Sequence, residues 1–402
     1  MNDPDTQLEN LLERIDTSDD IAAADRKQIL AFNDRLSLLA QEYSTYRQLK
    51  LLRHITLLAE RCEDGLVTAA LDDRDAAESL VSHINRRFDN EETNRDYRSA
   101  LRVFGRRVTD GDDVPESLEW VPTGTSSDHD PTPDPRDMLR WKEHVKPMIA
   151  TQTYSRNRAM IALQFDAGLR GGEFKSLSVG DIQDHKHGLE VTFDGKQGRR
   201  SVLCVPAVPH VNSWLDDHPA REELDAPLWT KLSNPEGISD RMIYDVFQNA
   251  AEEAGITRPI TLTNFRKSSA AHLASRNTNQ AVIEDHHGWV RGSDAAARYI
   301  AVFGGDRDRE IARAHGVDIP EEDEPEDMSP IECHTCERLN DRDASFCDQC
   351  GQALDAGTAA KVSSEETNAG LALAELPPEK AKQLFDATEL LDDPDIKRVL
   401  FD

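Results

Sequence analysis

Apolar residues recur at helical spacing through the first hundred positions. The chain reads as helical from residue 8 to about 108. Segments 22–40, 43–61 and 93–108 are the clearest, each free of proline. On a helical wheel of the last segment, Tyr97, Ala100, Leu101, Phe104 and Val108 share one face. Arg95, Arg98, Arg102 and Arg106 fall within roughly 80° of one another on the opposite face. The preceding helix places Arg47, Lys50, Arg53 and Arg61 opposite Leu51, Leu52, Ile55 and Ala59. Periodicity then stops. Residues 109–136 are rich in Pro, Asp, Ser and Thr and read as a linker. It resumes with a helix over 156–166 that Gly168 stops. A β-hairpin follows within 184–203, folded about Asp-Gly-Lys-Gln-Gly-Arg, and then helices over 240–254, 264–275 and from 294 onward. Residues 378–391 and 396–401 predict two short amphipathic helices. The expected fold class is mainly α with a small antiparallel sheet (α+β). The expected organisation is an N-terminal extension 1–20, a helical domain 21–108, the linker 109–136, a second domain 137–317, an acidic linker 318–330, a small ribbon 331–354 and an acidic tail 355–402.

Composition narrows the class. Of 402 residues 38% are hydrophobic, enough for real cores and against wholesale disorder. No run of 18 apolar residues occurs, and the first residues have neither a basic region nor an apolar core, so the expectation is a cytoplasmic protein with no membrane contact. The net charge is −29, and 34 of the 47 basic residues are Arg. Residues 318–402 account for −16 of that charge and the first 317 for −13, so the acidity is not confined to a tail. Dense carboxylates with few lysines suit a very salty cytoplasm, and the expectation is a halophilic source. Acidity over the whole chain opposes nucleic-acid binding, so any such contact must come from local patches. Arg47, Lys50, Arg95, Arg98, Arg102 and Arg106 form two nearly single-signed faces and are the expected phosphate contacts on double-stranded DNA.

Four of the six cysteines lie within 18 residues, as Cys333-x2-Cys336 and Cys347-x2-Cys350 with Gly351 following. Two such knuckles present four thiolates to one ion, which predicts a closed, structural zinc site with no open position for catalysis. Cys62 and Cys204 read as packed core residues. The acids around the ribbon (Glu332, Glu337, Asp341, Asp343 and Asp348) suggest that it and the tail contact a protein partner rather than DNA.

The second domain carries a scattered basic set with one tyrosine: Arg170 and Glu173 in Gly-Leu-Arg-Gly-Gly-Glu, Lys196 in the hairpin turn, Arg266 in Thr-Asn-Phe-Arg, then Trp289 and Tyr299. Two guanidiniums can each grip non-bridging phosphate oxygens, a turn lysine can protonate a leaving oxygen, and a tyrosine hydroxyl can attack phosphorus. In this order, over about residues 20–305, they resemble the tyrosine recombinase or phage-type integrase family. The resemblance implies a helical core-binding domain followed by a catalytic domain. It also implies strand cleavage through a 3′-phosphotyrosine without metal or nucleotide, and other copies of the chain as partners on DNA, a tetramer at synapsis. Carried over residue by residue, Arg170 and Arg266 are the catalytic arginines, Lys196 the hairpin lysine and Trp289 the position that takes His or Trp. Tyr299 is the nucleophile, and Glu173 buttresses Arg170. Thr263 departs from the pattern, standing where the family's His-x-x-R box begins with histidine. A threonine hydroxyl does not titrate near neutral pH, so its presence slows the chemistry. His286 and His287 belong to a helix end. The competing reading is a catalytically weakened DNA-binding protein with the same fold, using its zinc tail for partner contact. A type IB topoisomerase would use a similar pocket but fits the separate helical domain and the zinc tail less well.

Overall fold

The computed structural model describes residues 4–109, 113–126, 130–195, 198–304, 311–312, 315–317 and 327–364. The chain divides into two compact units, Met1–Pro131 and Thr132–Asp402. No described helix is long and apolar enough to cross a membrane.

Unit one is all helical: α1 (Pro4–Thr17), α2 (Ala23–Leu38), α3 (Thr45–Arg61), α4 (Leu66–Ala69), α5 (Arg74–Arg87), α6 (Glu91–Val108) and α7 (Glu116–Glu119). The apolar stripes read from the sequence meet in one core. Ile15, Ile29, Phe32, Leu36, Leu52, Ile55 and Phe104 are fully buried there, with Phe32 and Phe104 edge to face at 5.3 Å. Asn90 caps α6 by accepting from the Thr93 amide at 2.9 Å.

Two expected boundaries change. The extension 1–20 contains α1, whose Leu11 and Ile15 lie in the core, so this unit starts well before residue 21. Part of the expected linker 109–136 belongs to the same unit: Ser117, Leu118 and Val121 are buried, and the Ser117 hydroxyl donates to the Ala70 and Leu71 carbonyls, each at 2.8 Å. A segment with only a few apolar anchors can pack when side chains of the helix beneath it satisfy its backbone carbonyls. Arg98 does so, donating to the carbonyls of Pro122 (2.9 Å) and Gly124 (3.0 Å). Arg102 donates to those of Glu119 and Val121.

Unit two surrounds α9 (Ser155–Ala167), preceded by the short α8 (Lys146–Ala150) and followed by α10 (Gly171–Lys175). Most of α9 is buried, its apolar run Ala159–Leu163 on all sides and Arg156, Asn157 and Gln164 with hydrogen-bond partners, so it shows no single apolar stripe. The sheet has three strands rather than two: β1 (Ile182–His185), β2 (Gly188–Gly195) and β3 (Gly198–Cys204), antiparallel in that order. Phe193 pairs with Arg200 across β2 and β3. Then come α11 (Val208–Asp217), α12 (Asp240–Glu253), α13 (Leu262–Ser275), α14 (Gln280–His287) and α15 (Asp294–Phe303). The fold class is mainly α with a small antiparallel sheet, as the periodicity predicts.

A second small sheet, β4 (Ile331–Glu332) with β5 (Leu339–Asn340), carries the cysteines. Leu339 packs against the core of unit two. The tail helices expected at 378–391 and 396–401, and most of the acidic linker 318–330, lie outside the described residues.

Candidate active site

The site is assembled at two helix ends. Helix α9 stops at Gly168, which is left-handed (φ +56°); a Cβ there would lie 2.8 Å from His287 Nε2. That turn brings Arg170 to the start of α10, where the Glu173 carboxylate accepts from the Arg170 amide and from its Nη1, both at 2.8 Å. Gln164, fully buried, donates to the carbonyls of Leu169 and Leu262 and so fastens the turn to the start of α13. Helix α14 ends at Gly288, also left-handed (φ +56°), where a Cβ would lie 2.7 Å from Arg200 Nε.

The last carbonyls of a helix carry its negative dipole end and lack intrahelical donors. Here three in a row are taken by three different guanidiniums. Arg200 Nη1 donates to His286 at 2.6 Å, Arg266 Nη2 to His287, and Arg170 Nη2 to Gly288 at 2.8 Å. Arg266 Nη1 reaches back to the Gly168 carbonyl at 2.7 Å, joining the two helix ends. Glu173 is the carboxylate among these arginines, bonded to Arg170 and, at 3.1 Å, to Arg200. The three guanidiniums therefore leave excess positive charge at the pocket.

Tyr299 on α15 is 8% exposed and stacks on Trp289, with centroids 5.5 Å apart. Trp289 stacks in turn on His287 at 4.9 Å and lies 5.6 Å from the Arg266 guanidinium. Burial pushes the Tyr299 hydroxyl up to about 12, against the opposing pull of Arg266 and Arg298. Burial, and next the charge of Arg170, bring Arg266 down to about 10. His287 is fully buried and held neutral by burial and by the charges around it. Its Nδ1 lies 3.0 Å from the Ile283 carbonyl, which makes Nδ1 the donor and leaves Nε2 without a partner. The structure thus brings together Arg170, Glu173, Arg266, Trp289 and Tyr299. Thr263 is exposed on α13, one turn before Arg266. Lys196 lies outside the described residues. Arg200 was missed in the sequence. Its signal is parity: it shares the inward-facing register of Val202 and Cys204, where a charged residue is out of place.

The basic faces of unit one are only partly what the wheel predicts. Arg106 and Arg47 are exposed. Lys50 is exposed but bonded to Asp96 at 2.6 Å, and Arg95 lies 3.5 Å from the same carboxylate. Arg98 is buried, and both it and Arg102 are spent on the carbonyls of 119–124, so these two do not form an open stripe. The exposed Arg61, Arg86 and Arg87 lie close together; after desolvation, their charges hold His83 below its usual value. An Arg-Arg pair at a helix end was the available signal.

The Sγ atoms of Cys333, Cys336, Cys347 and Cys350 lie within 4.8 Å of one another. Two of the separations are 3.5 and 3.6 Å, against about 3.8 Å for thiolates tetrahedrally disposed about zinc. The set is compatible with a zinc site. Two of the ribbon's acids engage the chain itself. Lys146 on α8 bonds Asp341 at 2.8 Å and also Asp343, His210 on α11 lies 3.5 Å from Asp341, and Arg338 bonds Asp216 at 2.7 Å. Cys204 is buried, and Cys62 is half-buried at the end of α3.

Residues 139–304 match the model of the phage integrase family. The tyrosine recombinase XerD of Mycobacterium tuberculosis is 29% identical over 136 residues, 32% of this chain and 43% of that protein. The tyrosine recombinase XerC of Chlamydia trachomatis is 26% identical over 195 residues, 46% of this chain and 59% of that protein. The chain thus spans about half the length of these curated relatives. Among solved structures, a lambda integrase tetramer bound to a Holliday junction superposes with a TM-score of 0.50 at 14% identity, covering 75% of this chain and 79% of that one. The Tn1549 transposon integrase in complex with circular intermediate DNA gives 0.50 at 12%, covering 70% and 98%. At these identities the superpositions speak for the fold.

Proposed function

We propose that this chain is a site-specific tyrosine recombinase of the phage integrase family, acting on double-stranded DNA as an assembly of its own copies. The observation that carries the reading is the placement of Arg170 and Arg266 on adjacent carbonyls of one helix end, with Tyr299 stacked beside them on Trp289. In this reading the two guanidiniums hold the non-bridging oxygens of the scissile phosphate and stabilise the charge that develops there, commonly the largest catalytic contribution. The Tyr299 oxygen bonds phosphorus as its proton passes to water. The bond from phosphorus to the 5′ oxygen breaks, and Lys196 protonates that oxygen. The phosphotyrosine conserves the bond energy, and attack by a 5′ hydroxyl reverses the steps, so no metal or nucleotide enters the chemistry. A tyrosine held near 12 is not ionised beforehand, so proton loss accompanies attack. Thr263 offers a hydrogen bond but no titrating group, which slows the step without abolishing it. Family matches to recombinases favour this reading over the weakened DNA-binding protein.

Phosphate contact by unit one falls to Arg47, Lys50, Arg95 and Arg106 of the expected set, joined by Arg61, Arg86 and Arg87. Zinc in the four-cysteine site is structural.

The test is covalent capture. A labelled, nicked duplex pool with a random core, incubated with the chain and run on a denaturing gel, should give a shifted band. Tyr299→Phe should remove that band while leaving duplex binding intact. A band that survives Tyr299→Phe defeats the assignment.

A further inference from the structure

We propose that Arg200 is a positioning residue of this site: through Glu173 it fixes the placement and free charge of Arg170, and through the His286 carbonyl it ties strand β3 to the end of α14. The inference rests on the cleavage reading above and adds a residue to it.

The contacts are specific. Glu173 Oε1 accepts from Arg170 Nη1, while Oε2 accepts from the Arg170 amide and from Arg200 Nη2. Without Arg200 the carboxylate would face Arg170 alone. That pair would be close to neutral, and a phosphate entering the pocket would compete with Glu173 for the guanidinium. With Arg200 present the carboxylate is shared, and the three groups together carry one positive charge. The second tie acts on geometry. Arg200 Nη1 bonds the first of the three helix-end carbonyls whose next two members hold Arg266 and Arg170. The guanidinium also lies 4.3 Å from the centroid of Phe193, its cross-strand neighbour. Arg200 therefore joins the hairpin that bears Lys196 to both catalytic arginines.

Stability does not explain this arrangement. Side chains of Glu173 and Arg200 are only 4% and 16% exposed, and Arg200 Nε has no acceptor. Buried ion pairs repay their desolvation poorly, and apolar residues replacing the whole pair often match or exceed it in stability, although removing one partner alone is costly.

The experiment compares full-length variants on duplexes that the wild-type chain captures covalently from the random-core pool. Arg200→Met should lower the single-turnover cleavage rate by about 10- to 100-fold, with the duplex Kd within about threefold of wild type and Tm lowered only by the several degrees that losing hydrogen bonds from a charged donor entails. Arg200→Lys, which restores a cation, should recover cleavage to within about tenfold of wild type. Because Arg200 acts partly through Glu173, the loss in the double variant Arg200→Met/Glu173→Gln should be smaller than the product of the two single losses. Wild-type cleavage by Arg200→Met overturns the inference. So does a loss that multiplies in full with that of Glu173→Gln and that Arg200→Lys does not recover. If Arg200→Met does not fold, Arg200→Gln decides: cleavage slower by about tenfold or more at unchanged Kd supports the role, and wild-type cleavage removes it. A wild-type chain that captures no duplex defeats the cleavage reading first, and the role of Arg200 with it.

Discussion

His272 lies in the last turn of α13 against Phe165, and burial, followed by the charge of Arg276, brings it down to about 4. His286 is brought to about 4 as well, again chiefly by burial, and His287 lies well below its ordinary value. All three are neutral in the fold but titrate near 6.5 once unfolded. Their contribution to stability is whole above about 6.5 and is lost as the pH falls toward 4. Asp166 runs the other way: burial raises it to about 7 despite its two backbone donors, so across the same range it is protonated in the fold and ionised when unfolded. One carboxyl offsets part of what three histidines lose, and acid should destabilise the chain on balance. Tm measured at pH 7.5 and pH 5 should show a drop. His272→Gln should shrink that drop, equivalent to about 2 kcal/mol at pH 5. An unchanged drop in His272→Gln would mean that the ring is protonated within the fold.

Helix α6 has one face in the core and divides the other between two tasks. Arg98 and Arg102 hold the segment 119–124 by its carbonyls, while Arg106 faces solvent. Arg98→Met should destabilise the chain by about 2–3 kcal/mol, the worth of hydrogen bonds from a charged donor, and should leave the salt dependence of duplex binding alone. Arg106→Gln and Arg47→Gln should each flatten that dependence by about 0.9 in log–log slope without changing stability. Salt slopes that change for Arg98→Met and stay put for Arg106→Gln would reverse this assignment. These elements also show what a sequence can disclose. Helices α2, α3, α6, α9, α12, α13 and α15 were legible because an amphipathic or buried helix must repeat apolar residues at its own period. The pocket was legible through side-chain types in a fixed order. The packed segment after α6 was not, because backbone carbonyls accept its hydrogen bonds, and carbonyls have no sequence signature. The carbonyl row at the end of α14 escaped notice for the same reason. Arg200 was legible in principle from strand parity, but its neighbour Arg199, on the outward face, makes the pair look like ordinary surface charge.

The ribbon is seated on its own chain through Lys146, His210 and Asp216, and the groups it presents to them (Arg338, Asp341 and Asp343) lie between Cys336 and Cys347. Lys146 and His210 hold the Asp341 carboxyl well below the usual range. A metal closing the two knuckles would therefore shape the same loop that docks. The chain purified under reducing conditions should contain one zinc per molecule, and Cys336→Ser should lose it. Loss of the metal should also expose Arg338, now 13% exposed, to trypsin, while the described helices of unit two persist. A metal-free chain that resists trypsin as well as the wild type would show that the seat forms without the ion. A last consequence concerns how copies would cooperate. Tyr299 packs in a pocket built by residues of its own chain, beside that chain's Arg266 and Trp289. On the proposed reading, nucleophile and clamp would then belong to the same copy. Mixing Tyr299→Phe with Arg266→Ala should restore no cleavage, and blending inactive chains into active ones should dilute the output in proportion to the intact copies. Recovery in the mixture would mean that one copy lends its tyrosine to another.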